Sequence, residues 1–492
     1  MSDVKVTAID AVFSKITAEP HILQEIRQLF THKADNYKFS PQYKARVWDG
    51  NICLIKGNKI YNGLVAELQR HMEERQYSIE VDSSLLSGHN ISLHEFQTFI
   101  GSLGLPLDRP PREYQIQSAI KALRARRQVI LSPTSSGKSL IIYMMIAYCL
   151  QHSNKALIIV PTIGLVTQMK KDFDSYNSKF TVHCSTDILN KDNNIDAQIV
   201  ITTWQSLNNG KTAVPPSWYK QFDIVVADEC HTVNQSSKAK TLVQILSSLT
   251  NCYWRFGTTG TLSDNQLNNT TLEGLLGPKN SEVTTKELMQ EGYVSSLRIK
   301  CIVLSYPEEY RKKVKGLSYA GEIDFIAQFK PRNSFIKNLA LSLKGNVLVF
   351  FRLVEKHGNV LRDLIVAEKS KPVYYIDGSV NGPQREDIRQ DLEKQNNAVL
   401  IASLGTTSTG VSITSLKHMI AASPSKSKIK VLQSIGRLLR LHKDKEQATL
   451  YDIVDDLSYN GQDNFTLRHF RERLAIYNAE RFPYKIYTVE LK

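Results

Sequence analysis

The chain has 492 residues, enough for about three domains at the usual ~150 residues each, and 42% of them are hydrophobic against 22% charged, which excludes a largely disordered protein. An excess of 62 Lys and Arg over 48 Asp and Glu gives a net charge of +14 and favours a polyanionic partner, nucleic acid first. Six cysteines, at 53, 149, 184, 230, 252 and 301, show neither a C-x-x-C pair nor zinc spacing and read as reduced thiols of a cytoplasmic protein. Residues 1–5 carry no apolar signal region and the longest apolar run is about half a membrane span, so neither export nor membrane insertion is expected.

Residues 1–105 lack a phosphate motif and read as a small α+β domain. Apolar spacing predicts helices over 22–30 and 64–75, and alternation over 37–60 predicts a twisted hairpin broken at Trp48-Asp49-Gly50. Tyr37, Lys38, Tyr43, Lys44, Arg46 and Trp48 interleave aromatic and basic side chains. That composition suits nucleic-acid contact by Lys38, Lys44 and Arg46, and it equally suits a small core beneath a solvated face. Residues 101–111, rich in Gly and Pro, read as a linker.

After it, Arg112 and Gln115 precede the stretch on which the chain is organised, Ser132-Pro133-Thr134-Ser135-Ser136-Gly137-Lys138-Ser139. Apolar 128–131 leads in and apolar 140–150 leads out, so strand, loop and helix follow in turn, the context in which inward backbone N–H groups and a helix N-terminus hold phosphate. Lys138 supplies a point charge for the β- and γ-phosphates and Ser139 a hydroxyl ligand for Mg2+, although Ser132 stands where the general pattern has its first Gly. Gln115 has the paired donor and acceptor that an adenine edge requires.

Nearly continuous apolar runs predict parallel strands at 129–131, 156–160, 198–202, 224–227 and 253–256. A second set follows at 346–351, 373–376, 398–402, 418–421 and 448–453, without a second phosphate loop. Two doubly wound sheets in tandem, one bearing the nucleotide motif, are the architecture of a motor with ATP in the cleft between lobes. The run 224–227 delivers Asp228 and Glu229 to the ligand-binding end of the first sheet; Asp228 is expected to hold Mg2+ through a water, and Glu229 to orient and deprotonate the attacking water. In the second lobe Gln433, Arg437 and Arg440 fall at i, i+4 and i+7, one helical face suited to offsetting γ-phosphate charge, while Leu432, Ile435 and Leu439 form a packing stripe.

In order and spacing, 133–139, 159–162, Thr202-Thr203-Trp204-Gln205, Asp228-Glu229-Cys230-His231, 257–261, 349–351, 408–410 and 433–440 resemble the motifs of superfamily 2 helicases over residues 110–455. The Trp-Asp-Gly turn, Ser135 in the loop and the compact length are similar to the UvsW-type helicases of T-even-like bacteriophages. The resemblance implies two tandem RecA-like lobes, 106–292 and 293–456, behind the front domain, with a short helical extension at 457–492. It implies adenine reading by Arg112 and Gln115, nucleotide contacts by Pro133 to Ser139 and Gly410, and DNA-backbone contacts by Thr162, Thr203, Gln205, Phe351, Arg352 and Thr409. It further implies ATP and Mg2+ as cofactors, and branched or forked DNA and R-loops as partners of a monomeric enzyme of the host cytoplasm. These motifs do not choose between DNA and RNA, nor between strand separation and duplex translocation; a clamp without turnover is disfavoured by Glu229. Of the rest, 306–330, with Arg311, Lys312, Lys313 and Lys315, reads as a basic insertion before the second sheet. A basic amphipathic helix over 464–482, with Arg468, Arg471 and Arg473, reads as an appendage that packs on the second lobe or extends the DNA track.

Overall fold

The computed structural model describes residues 2–185, 195–208, 214–235, 241–403, 413–423 and 427–492. They form two compact units, residues up to 132 with 137–282, and 283–492, to which 133–136 also belong. The first unit opens with β1 (Val4–Ala8), β2 (Phe13–Ala18), β3 (Thr31–Lys33), β4 (Asn51–Cys53), β5 (Lys59–Tyr61) and β6 (Ile79–Val81). Four of these make a sheet in the order β5-β2-β1-β6, and β3 and β4 make a separate antiparallel ribbon. Helices Pro20–Leu29 and Val65–Glu74 stand where the spacing predicts, burying Ile22 and Ile26, and Leu68 and Met72.

The hairpin expected over 37–60 is not formed. Between β3 and β4 the chain makes a 3-10 turn at Tyr37–Phe39 and a short helix at Pro41–Lys44, begun by a proline whose missing N–H costs nothing at a helix start. Asn36 and Arg46 flank it with positive φ of 53° and 57°, so the apolar alternation there reflects helical turns rather than a pleat.

The front sheet shares its core with the first lobe. Val4, Ile16, Ile60 and Leu68 lie in one apolar cluster with Leu267, Leu272 and Leu276 of the helix Gln266–Leu276. The approach is close enough that a Cβ on Gly63 would sit 2.0 Å from the Glu273 carbonyl oxygen. Phe96 and Ile100 of the helix Leu93–Ser102 in turn pack with Ile120, Leu123 and Phe256. Residues on either side of 105 thus share a core within the first compact unit.

That lobe is an all-parallel sheet of β7 (Arg127–Leu131), β8 (Ala156–Val160), β9 (Val182–Ser185), β10 (Ile199–Thr203), β11 (Ile224–Asp228), β12 (Trp254–Thr259) and β13 (Lys279–Asn280), in the order β13-β7-β12-β11-β8-β10-β9. The five expected strands are its centre; the two unforeseen ones, β9 and β13, are short edges. Arg255 interrupts the apolar run of β12 yet is buried, its guanidinium donating to the Leu246, Leu249 and Leu275 carbonyls at helix ends, where a cation is favoured. Burial lowers its pKa to about 10.

The second unit is likewise all-parallel, with β14 (Ser296–Ser305), β15 (Asn346–Phe351), β16 (Val373–Ile376), β17 (Val399–Ser403), β18 (Leu416–Ala421), β19 (Gln447–Asp456) and β20 (Tyr484–Glu490) in the order β16-β17-β15-β18-β19-β14-β20. Because β14 precedes it, 306–330 is not an insertion before this sheet. It forms helices Glu308–Val314 and Tyr319–Gln328 on the crossover from β14 to β15. The C-terminal segment is no mere helical appendage either: after the helix Phe465–Ala479 the chain returns as β20 to pair with β14. Arg473, expected on a basic face, is buried, donating from Nε to Asp452 Oδ2 at 2.9 Å.

Candidate active site and nucleic-acid surface

The phosphate loop leaves β7 and enters the helix Lys138–Cys149, which is apolar on all sides and buried from Leu140 to Ala147. A helix with no polar face is fixed by packing all round, and it holds the loop with it. Ser135 and Gly137 take positive φ of 71° and 78°. A Cβ on Gly137 would lie 2.5 Å from Gln115 Nε2, so a glycine is required there. Gln115 is buried; its Oε1 accepts from the Arg112 backbone N–H at 2.9 Å and its Nε2 donates to the Gly137 carbonyl at 3.4 Å. The amide expected to read adenine thus ties the start of the helix Glu113–Ala125 to the loop, and Arg112 Nη1 donates to the Tyr114 hydroxyl at 3.1 Å. Ser136 N–H closes the loop on the Pro133 carbonyl at 3.2 Å, and Lys138 Nζ donates to the Ser132 carbonyl at 3.3 Å. The Ser139 hydroxyl lies 3.0 Å from that of Tyr176, at the end of the helix Ile163–Ser175, where burial pushes the phenol up to about 12.

At the end of β11, Asp228 Oδ1 accepts from Thr258 Oγ1 at 2.6 Å on neighbouring β12. Burial first, then the Glu229 charge, push the Asp228 carboxyl upward. Glu229 follows with φ 50°, a left-handed conformation that costs a non-glycine residue on the order of 1 kcal/mol or more and is typical of functional sites. The turn brings Glu229 Oε1 to 3.9 Å from Lys138 Nζ and Oε2 to 3.2 Å from His231 Nδ1. His231 Nδ1 is also 2.8 Å from Thr259 Oγ1, whose own hydrogen goes to the Thr261 carbonyl at 2.9 Å. The hydroxyl can then only accept, so the imidazole donates through Nδ1, toward Thr259 and Glu229 alike. Two adjacent carboxylates against one ammonium leave negative charge in excess. Together with the Ser139 hydroxyl they offer the all-oxygen donor set that suits Mg2+ beside a nucleotide. The sequence alone offers no role for His231 beyond its place in the motif, and nothing in it marks Tyr176.

The remaining candidates are spread more widely. Thr162 caps the helix Ile163–Ser175, accepting from Leu165 N–H at 3.4 Å, and Thr203, buried, caps Trp204–Leu207, accepting from Ser206 N–H at 3.1 Å. Gln205 is exposed and donates to the Pro161 carbonyl at 3.2 Å. Phe351 is fully buried and stacks on Tyr375 at 5.5 Å; it packs the lobe, whereas Arg352 beside it is exposed. Gln433 and Arg437 lie on the helix Lys428–Leu438, which buries Val431, Ile435 and Leu438. Arg440 lies past its end rather than on the expected face, its carbonyl accepting from Ser295 Oγ at 3.3 Å. Thr409 and Gly410 fall outside the described residues. Lys38, Lys44 and Arg46, all exposed, line a cleft of about 420 Å3 with Tyr43, Trp48 and Asp49.

A phosphate loop, an Asp-Glu pair at the end of a nearby strand and a second parallel sheet without such a loop define a superfamily 2 helicase. Residues 3–82 match the family model for the N-terminal region of the DNA helicase UvsW, 108–264 that for the res subunit of type III restriction enzymes, and 331–442 the helicase conserved C-terminal domain. The chain belongs to the UvsW family of ATP-dependent DNA helicases: it is 34% identical to the ATP-dependent DNA helicase uvsW of Enterobacteria phage T4 over 514 residues, 99% of this chain and 100% of that protein. The crystal structure of T4 UvsW superposes with a TM-score of 0.52 at 33% identity, covering 100% of both chains. A DNA 3'-5' translocase, XPB2, of Sulfurisphaera tokodaii is 23% identical over 394 residues, 73% of this chain and 85% of that protein. Nucleotide use and DNA binding come with the family. Among the described residues no helix is long and apolar enough to cross a membrane.

Proposed function

We propose that this chain spends ATP hydrolysis on remodelling branched DNA, forks, Holliday junctions and R-loops among it. The observation that carries the catalytic reading is Glu229, held between Lys138 Nζ at 3.9 Å and His231 Nδ1 at 3.2 Å. A carboxylate so placed orients and deprotonates the attacking water, while Lys138 offsets phosphate charge. His231, donating through Nδ1, keeps Glu229 turned toward Lys138, and Gln115 keeps the loop in register with the helix before it. Mg2+ held by Ser139 and Asp228 would supply further charge stabilisation at the phosphates. Gln433, Arg437 and Arg440 are the groups assigned to the γ-phosphate charge.

On the DNA side, Thr162, Gln205 and Arg352 are assigned to the strand backbone, and Lys38, Lys44 and Arg46 to the arms of a junction. Phosphate contacts of this kind position a strand without reading its sequence. The test compares ATP hydrolysis and strand separation on matched forked DNA, forked RNA and an R-loop, for wild type and Glu229→Gln. Glu229→Gln should bind ATP and fail to hydrolyse it, and the wild type should open the DNA fork and the R-loop but not the RNA fork. Wild-type hydrolysis by Glu229→Gln would overturn the assigned base; equal opening of the RNA fork would overturn the DNA reading.

A further inference from the structure

In the second unit, the turns after the helix Glu308–Val314 and after β19 enclose an open cleft of about 620 Å3 whose wall includes Lys315, Tyr459, Phe465 and Arg468. Its cations are laid on rings. Lys315 Nζ lies 5.5 Å over Tyr459, and the Arg468 guanidinium 4.5 Å over Phe465. Ring contacts continue from there, Phe465 to Tyr319 at 5.8 Å, and the Tyr319 ring lies 5.9 Å beneath the Arg352 guanidinium, whose Nη1 donates to the Tyr319 hydroxyl at 3.0 Å. Nearby Arg471 and Lys356 are paired with Asp463 and Asp324, whereas Lys315, Arg468 and Arg352 form no ion pair with a described carboxylate. Of the two carboxylates in the wall, Asp463 is the one held by Arg471, and Glu322 forms no ion pair with these cations. It is buried and accepts from Phe465 N–H, Thr466 N–H and Asn464 Nδ2 at 2.9, 2.7 and 2.9 Å, capping the helix Phe465–Ala479.

We infer that this cation and aromatic surface binds a single DNA strand, prolonging the contact made at Arg352. Cations of this kind meet phosphates, and half-buried rings stack unpaired bases, worth about 1–3 kcal/mol per base. A duplex keeps its bases stacked inside and would use only the cations. The inference rests on the reading of Arg352 as a backbone contact.

The experiment uses the full chain and a fluorescent thymidine oligonucleotide, with affinity followed by anisotropy across a salt series. Lys315→Gln with Arg468→Gln should weaken binding and lower the salt slope by roughly 1.4, about 0.7 for each single-strand phosphate that is no longer neutralised. Thermal melting checks that the variant folds. Arg352→Gln is measured in parallel. On the unsubstituted protein, ultraviolet crosslinking of a bromodeoxyuridine-substituted strand should label the peptide that holds Tyr459 and Phe465, a readout that needs no variant. Wild-type affinity and slope in the double variant, with binding weakened by Arg352→Gln, overturn the inference and leave the Arg352 reading standing. Wild-type behaviour in all variants overturns both, and crosslinks that avoid 459–465 overturn the inference alone.

Discussion

Arg332 Nη1 lies 3.3 Å from His357 Nε2, inside a buried cluster that also holds Asp455 and Tyr306. A guanidinium can only donate, so Nε2 accepts, the imidazole is neutral, and its Nδ1–H goes to Ser423 Oγ at 3.0 Å. Burial, then the Arg332 charge, push the His357 pKa down to about 3.

The consequence is acid sensitivity with a defined sign. In the unfolded chain His357 titrates at about 6.5, so between pH 6.5 and 3 the unfolded state binds a proton that the native state refuses. The contribution to stability is whole above pH 6.5 and is lost as the pH falls toward 3, at about 1.4 kcal/mol per pH unit. Urea midpoints measured at pH 7.5, 6.5 and 5.5 should fall more steeply for the wild type than for His357→Gln, in which carboxylate titrations persist but this one is gone. Parallel trends would show that His357 protonates in the folded protein.

How much of this is legible in the sequence depends on what each residue's environment demands. Central strands such as β8 and β11 are buried on both faces and must be apolar throughout, so their runs are visible. β20 is a sheet edge, largely exposed, and reads as polar alternation, while β14 carries Arg298 and Lys300, the latter over the Tyr451 ring at 5.4 Å. Neither matches a continuous run. The loop lysine and the Asp228-Glu229 pair are visible because phosphate chemistry restricts residue type at fixed spacing. Arg473 and Phe351 mislead because the sequence shows that a side chain is basic or aromatic, not that Asp452 or Tyr375 waits beneath it. Tyr176 lies 37 residues from Ser139 and belongs to no pattern; only the fold brings the two hydroxyls together.

That pairing makes a prediction of its own. A serine hydroxyl that ligates a cation must hand its hydrogen to an acceptor, and at Ser139 the Tyr176 hydroxyl oxygen, 3.0 Å away, is placed to take it. Tyr176→Phe should raise the magnesium concentration needed for half-maximal ATP hydrolysis several-fold, with the rate at saturating magnesium nearly restored. A lower rate at every magnesium concentration would mean that Tyr176 acts through packing instead.

Arg437 separates the second lobe's chemistry from its fold. It is half-buried on a helix whose packing relies on Val431, Ile435 and Leu438, so Arg437→Ala should leave the melting temperature close to wild type. ATP turnover should drop about 10³-fold or more, the scale of an arginine finger. DNA-stimulated hydrolysis at the normal rate in this variant would remove Arg437 from the γ-phosphate.

The last prediction concerns the front domain. Its sheet is welded to the first lobe through Gly63 and the helix Gln266–Leu276, yet the 31–53 ribbon carries its turns outward, with Phe39 75% and Val47 80% exposed. The same turn displays Lys38, Lys44 and Arg46, and these cations make a nucleic acid the fitting partner. Asp49, in the wall of the same cleft, accepts through Oδ1 from Asn51 N–H at 2.9 Å and forms no ion pair with these three cations among the described residues. Replacing Lys38, Lys44 and Arg46 by Gln should weaken binding to a three-way DNA junction and reduce the salt slope by roughly 0.9 for each duplex phosphate left without its cation. Binding to an unbranched single strand should change much less, since that strand is assigned to the two lobes. The comparison is therefore the ratio of junction to single-strand affinity, measured across a salt series. If that ratio is unchanged in the triple variant, these cations are a solvated face and the proposed preference for branched DNA does not reside in them.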